Sequence, residues 1–304
     1  MSRNALLRYP GSKSRALKPI LGVLRRYFET EGWDAEFREP FFGGGAVGFG
    51  LLGLCPIVRR AWFNDRDPAV CSVWKNVVRK PDRLEKKLRD FLPNTESFYV
   101  FKEELRSMYG VADLGDRLET AFKKIACIRM SMSGYGTMGG PMGGRKQQSK
   151  YGIDCRYNAD GLAAYIAETG RLLGAVETHP DVCSCLDFEQ VIRAPGKMVL
   201  YLDPPYFKQG PKLYQFSFNE DDHFRLAEVL RSESRPWLLS YDAHPVIDEL
   251  YRGWANVEVI TLSYSNAGAE RKDEFLISNR WEGRPAALGY MGSIAGQSDD
   301  VLRN

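Results

Sequence analysis

The 304-residue sequence has few of the side chains that bind metals in close groups. It contains three histidines, at positions 179, 223 and 244, and six cysteines, none of them in a CxxC pair. A structural zinc site needs closely spaced pairs of such ligands. We therefore predict no metal site, and the scattered thiols favour a reduced, cytoplasmic protein.

Long apolar runs are also missing. No stretch approaches the roughly 18 consecutive apolar residues that indicate a membrane span. The opening residues, MSRNALLRYPGSK, lack the apolar core of a signal peptide. There is no Walker lysine, so phosphate is not the obvious ligand. Hydrophobic residues still make up 44% of the chain and charged residues 27%, which predicts a globular protein with a sizeable core.

A strongly apolar segment ends in an acid and two prolines. Residues 198–202 read Met-Val-Leu-Tyr-Leu, which predicts a buried strand, and Asp203-Pro204-Pro205-Tyr206 follow. Proline cannot continue a sheet, so Asp203 falls at the carboxyl end of the strand, where open α/β sheets bind ligands. The Asp203 carboxylate and the Pro204 carbonyl could accept both hydrogens of an exocyclic amino group, and Tyr206 could stack on its ring. By itself, however, the segment fits an ordinary turn better.

A glycine-rich turn follows an earlier predicted strand. Strand 35–39 is interrupted by Pro40-Phe41-Phe42, and Gly43-Gly44-Gly45 leads into helix 46–54. Glycines allow a ligand to approach the backbone closely, and the first amides of a helix face such a ligand. The turn therefore predicts a nucleotide-type site, although similar turns join ordinary strands and helices.

The second predicted strand, 60–63, ends in Asn64-Asp65. An acid in this place binds ribose hydroxyls in Rossmann-like folds, which makes Asp65 the candidate. Asp67 is interpreted as the cap of a helix at 68–79 that begins with Pro68.

Helices at 81–91, 95–108 and 116–127 interrupt the alternation of strands and helices. We interpret residues 81–175 as an inserted, mostly helical subdomain, residues 1–80 and 176–281 as the two parts of the main α/β domain, and 282–304 as a tail. The other predicted elements are helices 15–28 (capped by Ser12 or Ser14), 159–173, 188–192, 219–231 and 245–251, and strands 182–186, 237–241, 257–262 and 274–277, with an antiparallel end to the sheet.

Positive charge is concentrated between residues 123 and 158. This segment contains seven Lys or Arg residues and one Asp, a net charge of +6, whereas the whole chain carries +3. A basic, glycine-rich loop suits a nucleic-acid backbone, although a solvated surface loop explains the charges equally well. The predicted DNA contacts are Arg129, Arg145, Lys146 and Lys150.

Taken in order, the motifs resemble those of the Dam-type, DPPY-motif adenine-specific DNA methyltransferases, over roughly residues 5–280. The matching stretches are Tyr9-Pro10-Gly11-Ser12-Lys13, Glu39-Pro40-Phe41-Phe42-Gly43-Gly44-Gly45, Asn64-Asp65, Asp187-Phe188, Asp203-Pro204-Pro205-Tyr206, Ser217-Phe218 with His223, and Glu274-Phe275-Leu276-Ile277. Each motif is short, and their joint order and spacing carry the resemblance.

This resemblance implies a Rossmann-like α/β methyltransferase fold that uses S-adenosylmethionine. It makes residues 1–80 and 176–281 the catalytic domain and residues 81–175 the inserted DNA-recognition subdomain. It places Lys13 near the cofactor carboxylate, Asp65 at the ribose and Asp187-Phe188 at the cofactor adenine. It also implies a flipped target adenine held by Asp203, Pro204 and Tyr206. The full set of implied cofactor residues is Tyr9, Lys13, Glu39, Phe41, Gly43, Gly45, Asp65, Asp187, Phe188 and Asp203.

The implied partner is double-stranded DNA, and a cognate restriction or defence protein is a further possibility for a bacterial or phage-encoded enzyme. The segment 129–136 differs from that of relatives that read GATC, so the recognition sequence stays open. Two alternatives also stay open: methylation of RNA adenine or DNA cytosine, and a DNA-binding homologue without activity. Asp203 as the first motif residue favours adenine.

Overall fold

The fold was analysed in a computed structural model that describes residues 5–8, 13, 16–108, 117–208, 216–264 and 270–280. These residues form a seven-stranded mixed sheet with ten α-helices. The strands are β1 (Glu36–Glu39), β2 (Arg60–Phe63), β3 (Glu177–Thr178), β4 (Met198–Leu202), β5 (Trp237–Asp242), β6 (Asn256–Tyr264) and β7 (Glu270–Ser278). The helices are α1 (Leu17–Glu31), α2 (Ala46–Leu54), α3 (Pro68–Arg79), α4 (Pro81–Asp90), α5 (Thr95–Arg106), α6 (Leu118–Met130), α7 (Ala159–Gly174), α8 (Phe188–Arg193), α9 (Glu220–Arg231) and α10 (Pro245–Tyr251).

The order of strands in the sheet is β3-β2-β1-β4-β5-β7-β6. The first five strands are parallel to one another, and β7 is antiparallel to both β5 and β6. The order 3-2-1-4-5 is that of a doubly wound sheet, whose ligand crevice opens between β1 and β4, where the order reverses. The predicted α/β fold with an antiparallel end is therefore present.

Helix starts follow the sequence signals closely, with one exception. Asp67 caps α3 by accepting a hydrogen bond from the Ala69 amide, and Asn219 forms a capping box with Asp222 at the start of α9. Helix α1, in contrast, begins at Leu17 after Ala16 and has no side-chain cap. The predicted caps Ser12 and Ser14 lie outside the described residues, and so do Tyr9 and the segment 282–304.

The strand predicted at 182–186 is wrong. Strand β3 lies earlier, at Glu177–Thr178, and within 182–186 only Ser184 forms a bridge, with Asn64. The reason is the Asn64 side chain, whose hydrogen bonds to the Leu186 backbone replace those that a neighbouring strand would make. Its amide group accepts from the Leu186 amide and donates to the Leu186 carbonyl, at 2.9 and 3.1 Å. These bonds fix the chain just before Asp187.

The helical block from α4 to α7 packs against the sheet rather than apart from it. Helices α6 and α7 both contact α3, and α4 and α5 pack on α7 and α6. Leu84, Phe98 and Phe122 of the block belong to the same buried cluster as Phe37 and Phe63 of the sheet. A recognition subdomain at 81–175 therefore stays a prediction, since its core is continuous with that of the sheet.

Candidate active site

A cavity of about 300 Å³ opens at the carboxyl ends of β1, β2 and β4. The turn after β1, the acids after β2 and Asp203 after β4 all line it, and residues from α6 and from the turns at 132–138 close one side. Most of the predicted cofactor residues thus meet in one place, although the chain separates them widely. Those lining the cavity are Lys13, Glu39, Phe41, Gly43, Gly45, Asp65, Asp187, Phe188 and Asp203.

The glycine turn has a conformation that other residues would not tolerate. Gly45 has φ of 69°, and a Cβ atom there would lie 2.4 Å from the ring of Phe49. Gly43, Gly45 and Gly48 also have the G-x-G-x-x-G spacing of dinucleotide-binding turns, a pattern absent from the predictions above. At Gly48 a Cβ would lie 2.9 Å from the ring of Phe63, so this glycine permits close packing of α2 on the sheet.

Asp65 joins the glycine turn to the end of β2. Its Oδ2 accepts a hydrogen bond from the Gly43 amide at 2.7 Å, and its Oδ1 accepts from the Asp67 amide at 2.9 Å. Burial, together with the negative charge of Asp67, raises the pKa of Asp65 to about 6. Its role toward ribose hydroxyls stays a prediction, but the carboxylate stands where that role requires it.

Glu39, the last residue of β1, is a buried acid with unused hydrogen-bonding capacity. It is 2% exposed, and its Oε2 has no hydrogen-bond partner in the described part of the chain. Burial and the nearby charge of Asp203 raise the pKa of Glu39 well above its ordinary value. A buried carboxylate oxygen without a partner is costly, and a cationic donor from a ligand would relieve that cost.

Asp187 and Phe188 form one end of the cavity. Asp187 caps α8 and binds the Arg225 guanidinium through both oxygens, each at 3.0 Å. Burial acts to raise the pKa of Asp187, but the hydrogen bonds from Arg225 outweigh it, so the pKa lies below its ordinary value. The Phe188 ring packs against Phe41 and Phe218, with centroid distances of 5.7 and 5.4 Å. These rings pack on one another and give the cavity an apolar wall suited to a flat heterocycle.

The opposite end of the cavity contains a buried ionic group around Asp203. The Lys13 ammonium lies 2.8 Å from Oδ1 of Asp203 and also donates to the Tyr206 hydroxyl. Burial acts to lower the pKa of Lys13, but the carboxylates of Asp203 and Glu274 raise it above its ordinary value. Lys13 therefore carries a positive charge that is directed at Asp203. The predicted contact of Lys13 with a cofactor carboxylate is untested.

Three of the four predicted DNA contacts, Arg145, Lys146 and Lys150, are exposed on the basic loop. The Arg145 guanidinium lies over the Tyr99 ring of α5 at 5.8 Å. Arg129 differs from these three, because its side chain is 3% exposed and donates to the Ala5 carbonyl at 3.2 Å, and its contact with DNA stays a prediction that this burial does not support. It lies on the inner side of α6 and is not placed to present its guanidinium to DNA.

Two arginines that the sequence did not single out lie near Arg129. Burial, together with the charges of Arg8 and Arg156, lowers the pKa of Arg129 to about 10. Arg8 is exposed, and Arg156 is half-buried. Arg8 follows Leu7, which lines the cavity. The only sequence signal was the position of Arg8 directly before the first motif.

A doubly wound sheet with a glycine turn after β1, an acid after β2 and Asp-Pro-Pro-Tyr after β4 defines a methyltransferase that uses S-adenosylmethionine. The chain belongs to the D12 class N6 adenine-specific DNA methyltransferase family, whose family model matches residues 9–266. The protein is accordingly an enzyme that methylates adenine in DNA, with S-adenosylmethionine as methyl donor. No curated protein matches the chain.

Two features are absent from the described residues. No helix among them is long and apolar enough to span a membrane. They also contain no group of three or more His, Cys, Asp or Glu side chains that could hold a metal ion.

Proposed function

We propose that the enzyme takes its target adenine out of the duplex and binds it at the Asp203 end of the cavity. The observation that carries this proposal is the continuity of the cavity. Phe188, Asp65, Glu39 and Asp203 all line this one space, so a cofactor and a flipped base can meet inside it. An adenine still stacked in a duplex could not reach this depth.

The cofactor half of the cavity fits S-adenosylmethionine. The unpartnered Oε2 of Glu39 would accept from its ammonium group, and Asp65 would accept from the ribose hydroxyls. The apolar wall that Phe41 and Phe188 form would pack against its adenine ring, with Asp187 beside it. Lys13 is better placed to hold Asp203 than to bind the cofactor carboxylate, since its ammonium already donates within the Asp203 group.

The chemistry depends on how Asp203 and its neighbours hold the acceptor. When bound, S-adenosylmethionine would supply a methyl group on a cationic sulfur to the N6 lone pair of adenine, and the sulfur would keep the electrons of the broken bond. The proton that N6 then loses would pass to the Asp203 carboxylate. Asp203 and the Pro204 carbonyl would accept the two N6 hydrogens and direct the lone pair toward the methyl group. Asp203 would also stabilise the positive charge that develops on N6. Tyr206 would support the base ring.

The surface next to the cavity provides the DNA contacts. Arg145, Lys146 and Lys150 are exposed on the basic loop and would meet phosphates, which fix the position of the duplex without reading its sequence. Arg8 and Arg156 are closer to the cavity and would meet acceptor groups near the flipped base. We assign residues 81–175 to target recognition on the strength of these charges.

Transfer of tritiated methyl groups to DNA, with Asp203→Ala as the negative control, tests the proposed acceptor site. Sequencing the methylated bases would then give the target site. A duplex with 2-aminopurine at the target position should become fluorescent on binding if the base leaves the stack. Turnover without any fluorescence change would contradict base flipping, and methylation of RNA but not DNA would contradict the DNA interface.

A further inference from the structure

Glu274 is a buried acid within an apolar part of β7. The residues that follow it, Phe275, Leu276 and Ile277, are all buried, and Glu274 itself is 3% exposed. A carboxylate in such surroundings is costly unless charged or hydrogen-bonding partners compensate for its lost hydration. Its partners are Tyr206 and Lys13, which also surround Asp203, whereas its sequence motif gave Glu274 no role.

The two oxygens of Glu274 make different contacts. Oε1 accepts a hydrogen bond of 3.0 Å from the Tyr206 hydroxyl. Oε2 lies 3.6 Å from the Lys13 ammonium and accepts no hydrogen bond from any residue that the structure describes. The same ammonium is 2.8 Å from Oδ1 of Asp203. Lys13 therefore lies between two carboxylates, bonded to one and a short distance from the other.

This asymmetry matters because Lys13 neutralises the carboxylate that the target amino group needs. Positive charge develops on N6 as the methyl group is transferred, and Asp203 stabilises this charge less when Lys13 already balances its own. Lys13 cannot simply withdraw, since a buried ammonium without a partner is strongly disfavoured. The free Oε2 of Glu274 is an acceptor placed to receive it.

We propose that Glu274 is a positioning residue for methyl transfer, which takes over the Lys13 ammonium as the target amino group binds Asp203. The movement is small: bringing Lys13 as close to Glu274 as it now is to Asp203 shortens one distance from 3.6 Å by about 0.8 Å. The bond from Tyr206 to Oε1 holds the Glu274 carboxylate in place meanwhile. This inference rests on the proposed function of Asp203.

The test compares Glu274→Gln with Asp273→Asn. Both changes replace a carboxylate by an amide of the same shape on adjacent residues of β7. Asp273 is exposed and accepts from the Thr261 hydroxyl, away from the cavity. Each variant is given a duplex that contains the methylation site, with the target adenine intact or replaced by purine, which lacks the amino group.

Glu274→Gln is expected to lower kcat by about tenfold or more and to weaken binding of the adenine duplex. The purine duplex should bind as it does to the wild type, because no amino group competes with Lys13 for Asp203. Affinity for S-adenosylmethionine, measured by calorimetry, should be unchanged. Asp273→Asn should match the wild type throughout, and Glu274→Asp, which keeps the charge, should recover part of the lost turnover.

Wild-type kcat in Glu274→Gln would overturn the inference. If Glu274→Gln binds the adenine duplex and the purine duplex more weakly by the same factor, the inference is also overturned, since Glu274 would then act only on the shape of the pocket. If Glu274→Gln does not bind S-adenosylmethionine, Glu274→Asp takes its place and must show the same difference between the two duplexes. An active Asp203→Ala would refute the proposed function itself, whereas an inactive Asp203→Ala beside a fully active Glu274→Gln would refute only the role of Glu274.

Discussion

The carboxylate of Asp65 accepts a 2.7 Å hydrogen bond from the amide of Gly43, so the end of β2 holds the turn that follows β1. Its other oxygen accepts from the Asp67 amide. Two motifs that are separate in the sequence therefore form one wall of the cavity. A change at Asp65 is expected to disturb the glycine turn as well as any ligand hydroxyl that the carboxylate binds.

Replacing Asp65 by Ala should therefore weaken S-adenosylmethionine binding by about 1–3 kcal/mol, the usual cost of leaving buried polar groups unpaired. Turnover at saturating cofactor should fall less, because a contact with ribose hydroxyls contributes similarly to the ground state and the transition state. Calorimetry and steady-state kinetics measure the two effects, and Asp90→Asn on the exposed face of α4 is the control. An unchanged affinity would mean that Asp65 does not contact the cofactor.

Cofactor affinity should also depend on pH through Asp65. Its pKa is raised from 3.8 to about 6, so the carboxylate becomes protonated, and a weaker acceptor, as the pH falls below about 6. The folded protein binds the proton more tightly than the unfolded chain. The contribution of Asp65 to stability is therefore greatest below pH 3.8 and falls as the pH rises from 3.8 to about 6. Calorimetric affinities between pH 5 and 7 should decline toward acid in the wild type. Asp65→Asn should show a shallower decline, and parallel profiles would refute the assignment.

Asp203→Ala should abolish methyl transfer, because the target amino group loses its charged acceptor where positive charge develops. Asp203→Asn keeps the shape but not the charge and should be severely impaired, by roughly 10²-fold or more in kcat. Cofactor binding by both variants confirms folding. Asp248→Asn, a change on α10 at a residue that does not line the cavity, should retain full activity. Turnover near the wild-type rate in Asp203→Ala would rule out the proposed mechanism.

Gly45→Ala, at the residue just before α2, and Gly53→Ala, inside α2, form a matched pair. At Gly45 the positive φ and the contact with Phe49 leave no room for a methyl group. We therefore expect Gly45→Ala to lower the free energy of unfolding by about 1–2 kcal/mol or more and to impair cofactor binding. At Gly53 no atom lies within 4 Å of an added Cβ, and alanine should stabilise the helix by up to about 1 kcal/mol. Thermal unfolding distinguishes the two, and equal effects would contradict this account of the turn.

The sequence was most informative where a local rule determines the structure. Strand β4 and helices α2, α3 and α10 have the predicted bounds, because apolar runs and prolines mark their ends locally. It was least informative where a distant side chain intervenes. The Asn64 amide prevents a regular strand at 182–186, and no pattern within that segment reveals this.

The same distinction applies to the site. Short motifs at strand ends identified many of the residues that line the cavity, including Asp65 and Asp203. Charge alone could not separate a surface arginine from a buried one, so Arg129 was assigned to DNA although α6 turns it inward. Glu274 was missed as a functional residue because its partner Lys13 is far away in the sequence and the strand pairing of β7 brings them together.

Exposed and buried charges of the basic segment should affect DNA binding differently. Arg145, Lys146 and Lys150 are exposed, so neutralising any one of them should weaken binding to all duplexes. The salt slope should fall by about one in each variant, because each side chain is expected to neutralise one phosphate. If Arg145 instead binds a guanine edge, its replacement should cost about 1–3 kcal/mol of discrimination at one position of the target site.

Arg129→Met should behave differently from these three changes. Its guanidinium is buried and donates to the Ala5 carbonyl, so its loss should lower stability and disturb the segment before Lys13, while the salt slope of DNA binding stays that of the wild type. Affinity for target and scrambled duplexes, measured across salt concentrations, and thermal unfolding together decide the matter. A reduced salt slope in Arg129→Met with unchanged stability would show that Arg129 contacts DNA. Wild-type binding by the variants of Arg145, Lys146 and Lys150 would place the recognition surface elsewhere, because the exposed charges of this loop would then serve only its solvation.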